Sequence, residues 1–550
     1  MPVTRPHSSR PFIVWLCTAA TFGAPAVAQL GPPPVPSQNP ITPAKANLGK
    51  TLFWDEQMSS TGTVACATCH TPAAGGSDPR APAARHPGFD GRFDTPDDVL
   101  GSFGVIAHAA VGGYVRMPGP FPLREQVTRR KAPSVLMAAY NATQFWDGRV
   151  GGELRDPHTG QVVIGAGASL EAQVLEPPLS SVEMNFEGAG WGDIEARLVT
   201  ARPLALATNV PVALDAWIAG RSYPDLFREV FGTPDVSAVR IAMAIATYER
   251  TLVPDQAPID DFLRGNTSAL TPQEQHGKLV FEQLGLCTLC HGGTTFARAR
   301  FADVGLRPLG EDRGRYAVTG AIRDDNTFKV PSLRNVGDRA PYFHNGSRRT
   351  LEEVVDFYAR GGDFPSNPFL GIQPFGMTSQ DRDALLAFLR HALTDPRVAA
   401  RQPPFDHPEL FAAGTRAPRP YGSGSPGSQG PLRLFSPEPP LLGNPTFRLT
   451  VDGAVGGAPV ALLLDQAPGD HLRLGVRLHV AMTPALLLLD FGRASADPQN
   501  PGWTSTAVGL PADRALDGVS LFLQAVAADP LTTSGLQTSP GLRVTLFAGR

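Results

Sequence analysis

Residues 66–70 read CATCH, and residues 287–291 read CTLCH. The chain holds five cysteines in 550 residues, and these two short words take four of them. On a helical turn, positions i, i+3 and i+4 share one face. Cys66, Cys69 and His70 are so spaced, and so are Cys287, Cys290 and His291. Two thiols in this arrangement can form thioethers with the two vinyl groups of one haem, and the adjacent imidazole can ligate its iron. Two disulfides, the default for four cysteines in an exported chain, need no such histidine. Zinc needs four ligands, and each cluster offers three. The spacing predicts two covalently bound haem c groups, with His70 and His291 as iron ligands.

The fifth cysteine, Cys17, lies in PFIVWLCTAATFGAPAVA (11–28), after Arg5 and Arg10 and ahead of Gln29. A basic start, an apolar middle and the exit Ala26-Val27-Ala28 predict a secretory signal peptide over 1–28, hence a periplasmic or otherwise exported protein. Leu16 stands where a lipoprotein signal wants a small residue. The next apolar run, ALLLLDF (485–491), is far too short to span a bilayer. The formal charge is −3 without a long basic run, which argues against a nucleic-acid role. Pro (55) and Gly (57) are abundant, which predicts many loops and turns.

Each haem motif follows a similar phrase, LGKTLFWDE before the first and HGKLVFEQLG before the second. The expected fold is mainly α: two cytochrome c-like haem domains, 41–265 and 266–410, followed by a β-sandwich-like domain. Thr271, Pro272 and Glu274 make a capping box ahead of the second motif. Thr350 and Glu353 open another helix, which Gly361 stops, and TSQDRDALLAFLRHAL (378–393) is a further amphipathic helix. Residues 411–431 are rich in Gly, Ser and Pro and read as a linker. Beyond it, Leu472, Leu474, Val476, Leu478 and Val480 alternate with exposed types, as in a strand, and VSLFLQAVA and LRVTLF read as strands too. His471 and His479 fall at surface-type positions. Residues 432–550 loosely resemble the β-rich modules appended to secreted bacterial proteins, which implies attachment or packing, with carbohydrate binding as a minor alternative.

NLGKTLFWDEQMSSTGTVACATCHTP, NATQFWDGR, SSVEMNF, YERTLVP and FKVPSLRNVGDRAPYFHNGSRRTLEEVVDFYARGG occur in this order. Over residues 41–395 the chain resembles the bacterial di-haem cytochrome c peroxidase family, which includes the MauG-like enzymes. The resemblance implies that the first haem reacts with hydrogen peroxide and the second takes in electrons. The implied function is reduction of hydrogen peroxide to water with electrons from a small cytochrome c or cupredoxin. The alternatives are a MauG-like oxidase acting on a protein or organic substrate, and a di-haem electron carrier. A homodimer is a candidate assembly.

The resemblance also assigns residues. Glu183 matches the family's distal carboxylate, a general base and then acid for O–O cleavage. Trp146 matches the tryptophan between the haems. Tyr358 aligns with the sixth ligand of the second haem, where peroxidases of the family usually carry Met; Met377 is its rival. The i, i+3, i+4, i+7 series Leu351, Val354, Val355, Tyr358 turns this Tyr inward. His108 is the candidate distal ligand of the first haem, and His86 reads as a solvated loop residue. The family's calcium implies backbone carbonyls of Arg339 and Pro341 as ligands, but Lys131 replaces the usual Asn. Asp90, Asp94, Asp97 and Asp98 have calcium-loop spacing without the full loop pattern, and read as a solvated acidic turn.

Overall fold

The computed structural model describes Met1 and residues 29–110, 113–367, 372–497 and 500–550. Residues 2–28 of the expected signal peptide (1–28) lie outside the described residues. Among the described residues, no helix is long and apolar enough to cross a membrane.

The similar phrases before the two motifs do the same physical job. The helix Pro43–Phe53 starts at Thr42, whose side chain accepts from the Lys45 amide, and packs on the helix Ala238–Glu249. The two backbones approach so closely at Gly49 that a Cβ there would lie 1.9 Å from the Ala244 carbonyl oxygen. In the second half, the helix Pro272–Leu279 packs on Ser379–Ala387, and a Cβ at Gly277 would lie 2.0 Å from the Ala384 oxygen. Gly-Lys in LGKTLF and HGKLVF thus marks one helix crossing, used twice. Each crossing carries its own apolar core: Leu48, Phe53, Ile241 and Ile245 in the first, Phe281, Phe388, Leu385 and Val355 in the second. The capping boxes form as expected, with Thr271 accepting from Glu274 and Thr350 from Glu353, each at 3.2 Å.

Helix makes up 27% and strand 18%, so helix leads without clearly making the chain mainly α. The helices are short, and long Pro- and Gly-rich loops wrap them. The stretch 396–410, expected in the second half, packs on the first. Val398, Phe405 and Leu410 join the first core, and His407 stacks on Trp54 at 4.1 Å.

Among the described residues, two larger sheets face each other in the carboxy-terminal domain, beside a two-stranded hairpin. One has three strands, Arg433–Phe435, Arg448–Ala454 and Gly502–Ala507. The other has six and is centred on Ser520–Ala528, which pairs antiparallel with Pro459–Asp465 and Gly541–Thr545. Leu434, Leu449 and Val451 from the first sheet meet Leu462, Leu523 and Val544 from the second in one core. This is a sandwich built on alternation.

The expected linker is not free. Arg419–Tyr421 is the edge strand of the larger sheet, paired with Gly541–Arg543, and Ser428 bonds Asp529. Its composition suits a strand with tight turns as well as a tether, and sequence pattern alone did not separate the two. The 471–480 run is a hairpin rather than one strand, because Leu474 and Gly475 both adopt positive φ (50° and 75°). Leu472 and Leu474 are therefore exposed, whereas Val476, Leu478 and Val480 are buried. His479 is buried too, with its ring on the Ser423 main chain at 2.7 Å.

Candidate active site

Cys66–Cys69 form one helical turn, and the His70 amide closes it on the Cys66 carbonyl at 3.1 Å. Thr68 Oγ1 accepts from the Ala65 amide at 2.8 Å, which sets the start of the turn. The four motif cysteines form no disulfide.

A cavity of about 600 Å³ opens beside this turn, within the range of about 300–1,000 Å³ common for ligand sites. Cys66, Cys69 and His70 line it, and so do Glu183, Trp146 and His344. Burial lowers the pKa of His70 and so keeps its imidazole neutral, the form that ligates a metal.

Glu183 follows the turn Pro177–Leu179 and is gripped by its main chain. Its amide donates to the Ser180 carbonyl at 3.2 Å, and its carbonyl accepts from the Val105 amide at 3.1 Å. Burial pushes its carboxyl up to about 7, opposed by Arg149 and reinforced by Glu176. Gln173 and Pro177 share the cavity with it. Sequence reading passed over both, since a Gln in a short helix and a Pro in a turn carry no signal of their own.

Trp146 stands between the halves. Its indole N–H donates to the Lys131 carbonyl at 2.8 Å, and its own carbonyl accepts from the Lys329 amide at 2.7 Å. Its ring meets His344 edge-on at 6.4 Å, and His344 stacks on Phe328 at 3.5 Å. Arg130 clamps the junction, bonding Asp147 at 2.7 Å and Asp312 at 2.6 Å.

In the second half, the His291 amide bonds the Cys287 carbonyl at 2.7 Å. His291 Nδ1 faces the Phe296 carbonyl at 3.2 Å, and donation there leaves Nε2 for iron. Burial holds this imidazole neutral, with its pKa down to about 4. Tyr358 lies on the helix Leu351–Ala359, near Cys287 and Cys290, and burial raises its pKa. Met377 packs on the same apolar core as Cys287.

The solvated reading of His86 does not hold, and His108 is not among the residues lining the cavity. His108 lies outside the cavity lining: its Nδ1 bonds the Ile106 carbonyl at 2.7 Å, and its ring packs on Tyr114 at 5.1 Å and Phe186 at 5.6 Å. His86 is buried and lines the cavity, because Arg85–His86 pairs with Val99–Leu100 and turns the ring inward against Phe121. The acidic turn is bonded largely within itself, although Asp98 Oδ1 is buried without a partner. Asp94 bonds Arg85 at 2.8 Å, and Asp97 accepts from the amides of Phe89 and Asp90.

The residues at the junction do not fit calcium. Lys131 is 4% exposed, and its ammonium bonds Ser77 Oγ. Arg339 is also buried, and burial first and the Arg339 guanidinium second bring the Lys131 pKa down to about 7. A buried guanidinium, and beside it an ammonium that is protonated in part near neutral pH, oppose a divalent ion. Among the described residues, no group of three or more His, Cys, Asp or Glu is gathered for a metal.

A family profile described as "Di-haem cytochrome c peroxidase" matches residues 43–268. The methylamine utilization protein MauG of Methylorubrum extorquens is 31% identical over 366 residues, which is 66% of this chain and 82% of that one. The chain belongs to the di-haem cytochrome c peroxidase family. The cytochrome c551 peroxidase of Pseudomonas aeruginosa is 29% identical over 405 residues, covering 70% of this peroxidase and 89% of that one. A solved MauG-like protein associated with microbial copper homeostasis is 25% identical with a TM-score of 0.47, covering 71% of this chain and 98% of that one. Membership brings two covalently bound c-type haems, hydrogen peroxide as oxidant and a small redox donor. The cavity walled by Cys66, Cys69 and a neutral His70, and the turn carrying Cys287, Cys290 and His291, fit those haems.

Proposed function

We propose that the peroxide-reacting site is the cavity at Cys66, Cys69 and His70, with Glu183 as its acid and base and Trp146 as the bridge to the second haem. The observation that carries this reading is that Glu183 and Trp146 line the same cavity as the first haem motif, from opposite chain segments. When bound, haem supplies the iron at which peroxide is cleaved and the electrons to cleave it. Glu183 takes the proton from the near oxygen and returns it to the leaving oxygen, which departs as water. Its pKa near 7 suits both directions of that transfer. Trp146 is fixed at both its indole N–H and its carbonyl, so its π-system is held rigidly between the halves.

Electrons enter at the second motif in this reading. Leu284, Leu286 and Leu289 are 39%, 52% and 55% exposed around Cys287. An apolar skirt of this kind suits brief contact with a small cytochrome c or a cupredoxin. Such a donor places the protein outside the cytoplasm, as the basic and apolar opening of the sequence implies.

Tyr358 favours a second reading, MauG-like oxidation of a protein or organic substrate. A phenolate ligand stabilises ferric iron and lowers the potential, whereas Met raises it. Steady-state assay decides between the two. Reduced cytochrome c or cupredoxin is expected to be oxidised catalytically on adding peroxide. Peroxide consumption that leaves both donors reduced, with an organic reductant oxidised instead, would select the second reading. If peroxide is not consumed at all, both fail and a plain electron carrier remains.

The buried cations at the junction carry a further prediction. Treatment with EGTA is expected to leave the haem spectra and peroxide turnover unchanged, and elemental analysis to find no stoichiometric calcium. Calcium that co-purifies with the chain, and whose removal abolishes turnover, would contradict the fit argued from Lys131 and Arg339.

A further inference from the structure

We propose that the carboxy-terminal β-domain braces the peroxide side of the first haem site, through an ion pair from Asp452 to Arg116 and the hairpin that holds Glu183. The inference rests on the role of Glu183 proposed above. It gives the appended domain a part in the reaction rather than in attachment.

The brace can be followed bond by bond. Asp452 lies on the sandwich strand Arg448–Ala454 and is 3% exposed. Its Oδ1 accepts from Arg116 Nε at 3.1 Å, with a second nitrogen of the same guanidinium also at 3.1 Å. Arg433 stands on its other oxygen at 3.5 Å. Tyr114, two residues before Arg116, is 2% exposed and sits by Glu438 of the β-domain. From Arg116 the chain runs into the strand Glu125–Val127, which pairs antiparallel with Phe103–Ile106. The Ala107 amide bonds the Arg124 carbonyl at 3.1 Å and holds the two arms together. The inner arm grips the catalytic segment: Val105 N–H donates to the Glu183 carbonyl, and Gly104 lies so near that a Cβ would be 1.9 Å from Val182 O. Only glycine permits that approach, so displacing the hairpin displaces Glu183.

A brace must itself be anchored, and this domain is. The Glu56 carboxylate, buried at the end of the first helix region, accepts the Phe411 and Ala412 amides at 2.6 and 3.0 Å. Arg416 lies over the Phe547 ring at 4.3 Å and donates to the Leu206 carbonyl at 2.6 Å. The carboxy-terminal Arg550 pairs with Asp215. The sandwich is thus fixed to the first half at one end and presses Asp452 on Arg116 at the other. Polar ties and an apolar contact of Leu206 with Phe411 and Phe547 hold the anchored end, and the Arg116–Asp452 pair is the tie that leads to the segment behind Glu183.

Arg116→Ala in the full holoprotein tests this. Amide hydrogen exchange in 103–106 and 180–186 is expected to quicken. The stopped-flow rate of reaction with peroxide should fall by about 10- to 100-fold, the size expected when a reacting group moves by about an ångström. Both haems should stay attached. Arg116→Lys keeps the charge and should recover most of the rate, which a merely structural lesion would not explain. Asp452→Asn keeps the side-chain shape and should reproduce the loss if Arg116→Ala folds poorly. Unchanged exchange overturns the proposal, and so does faster exchange with an unchanged rate. Glu183→Gln, run alongside, separates the two claims. If it keeps the parental rate, the catalytic reading of Glu183 fails, while the exchange data still judge the brace.

Discussion

Glu183→Gln is expected to slow peroxide turnover by about 10²- to 10⁴-fold while both haems remain attached. Glutamine matches the shape of glutamate but cannot take a proton from the near oxygen and hand it to the far one. The main-chain bonds that place residue 183, to Ser180 and from Val105, do not involve the carboxyl, so the backbone should stay where it is. The pH profile adds a second signature. Burial raises the carboxyl to about 7, Arg149 lowers it and Glu176 raises it further. The base form starts the transfer, so the parental rate should climb as pH rises through about 7, and the variant's profile should be flat there. Stopped-flow absorbance at the Soret band reads both. A variant within a few-fold of the parent would remove Glu183 from the proton pathway.

Arg250→Ala is expected to cost about 3–5 kcal/mol of stability, the range for breaking a buried pair from one side. Arg250 forks onto Glu171, with N–O distances of 2.7 and 2.9 Å, and both side chains are almost wholly buried. Asn39 adds a bond to Glu171 at 2.7 Å, and Lys45 reaches Asn39 at 2.8 Å. Removing the guanidinium leaves a buried carboxylate with the Asn39 amide and, farther off, Lys45 for support. Urea unfolding followed by tryptophan fluorescence measures the loss. Glu171→Leu combined with Arg250→Met should recover most of it, because two apolar groups leave no charge behind. If the single variant unfolds at the parental midpoint, the pair contributes little and the strength of its geometry has been overstated.

Much of the site was legible before any fold was known. Cys66, Cys69 and His70 need only one helical turn to share a face, and a turn is local. Thr271 and Thr350 announce their helices for the same reason: a cap is read within four residues. Glu183 and Trp146 could be found because they sit in extended motifs, not because Glu or Trp alone is informative. His108 and His86 show the opposite case. Each is a histidine in a loop, and which of them turns into the cavity depends on a strand pairing with Val99–Leu100. Gly49 and Gly277 were visible as a repeated phrase, but their meaning lies in partners at Ala244 and Ala384. The segment 416–431 failed for a related reason. Its composition describes a flexible chain, and only the edge of a distant strand makes it part of a sheet.

The amino-acid order by itself determined the chemistry: two thioether-and-imidazole clusters, the helices that begin at their caps, and a change from helical to alternating pattern near residue 432. These are short-range properties, decided by neighbours a few positions apart. Tertiary structure alone decided which histidine faces the cavity, that Lys131 and Arg339 share the junction, and that the sandwich grips the hairpin behind Glu183. Those outcomes depend on burial and on charges brought together from far along the chain, and a linear reading contains neither.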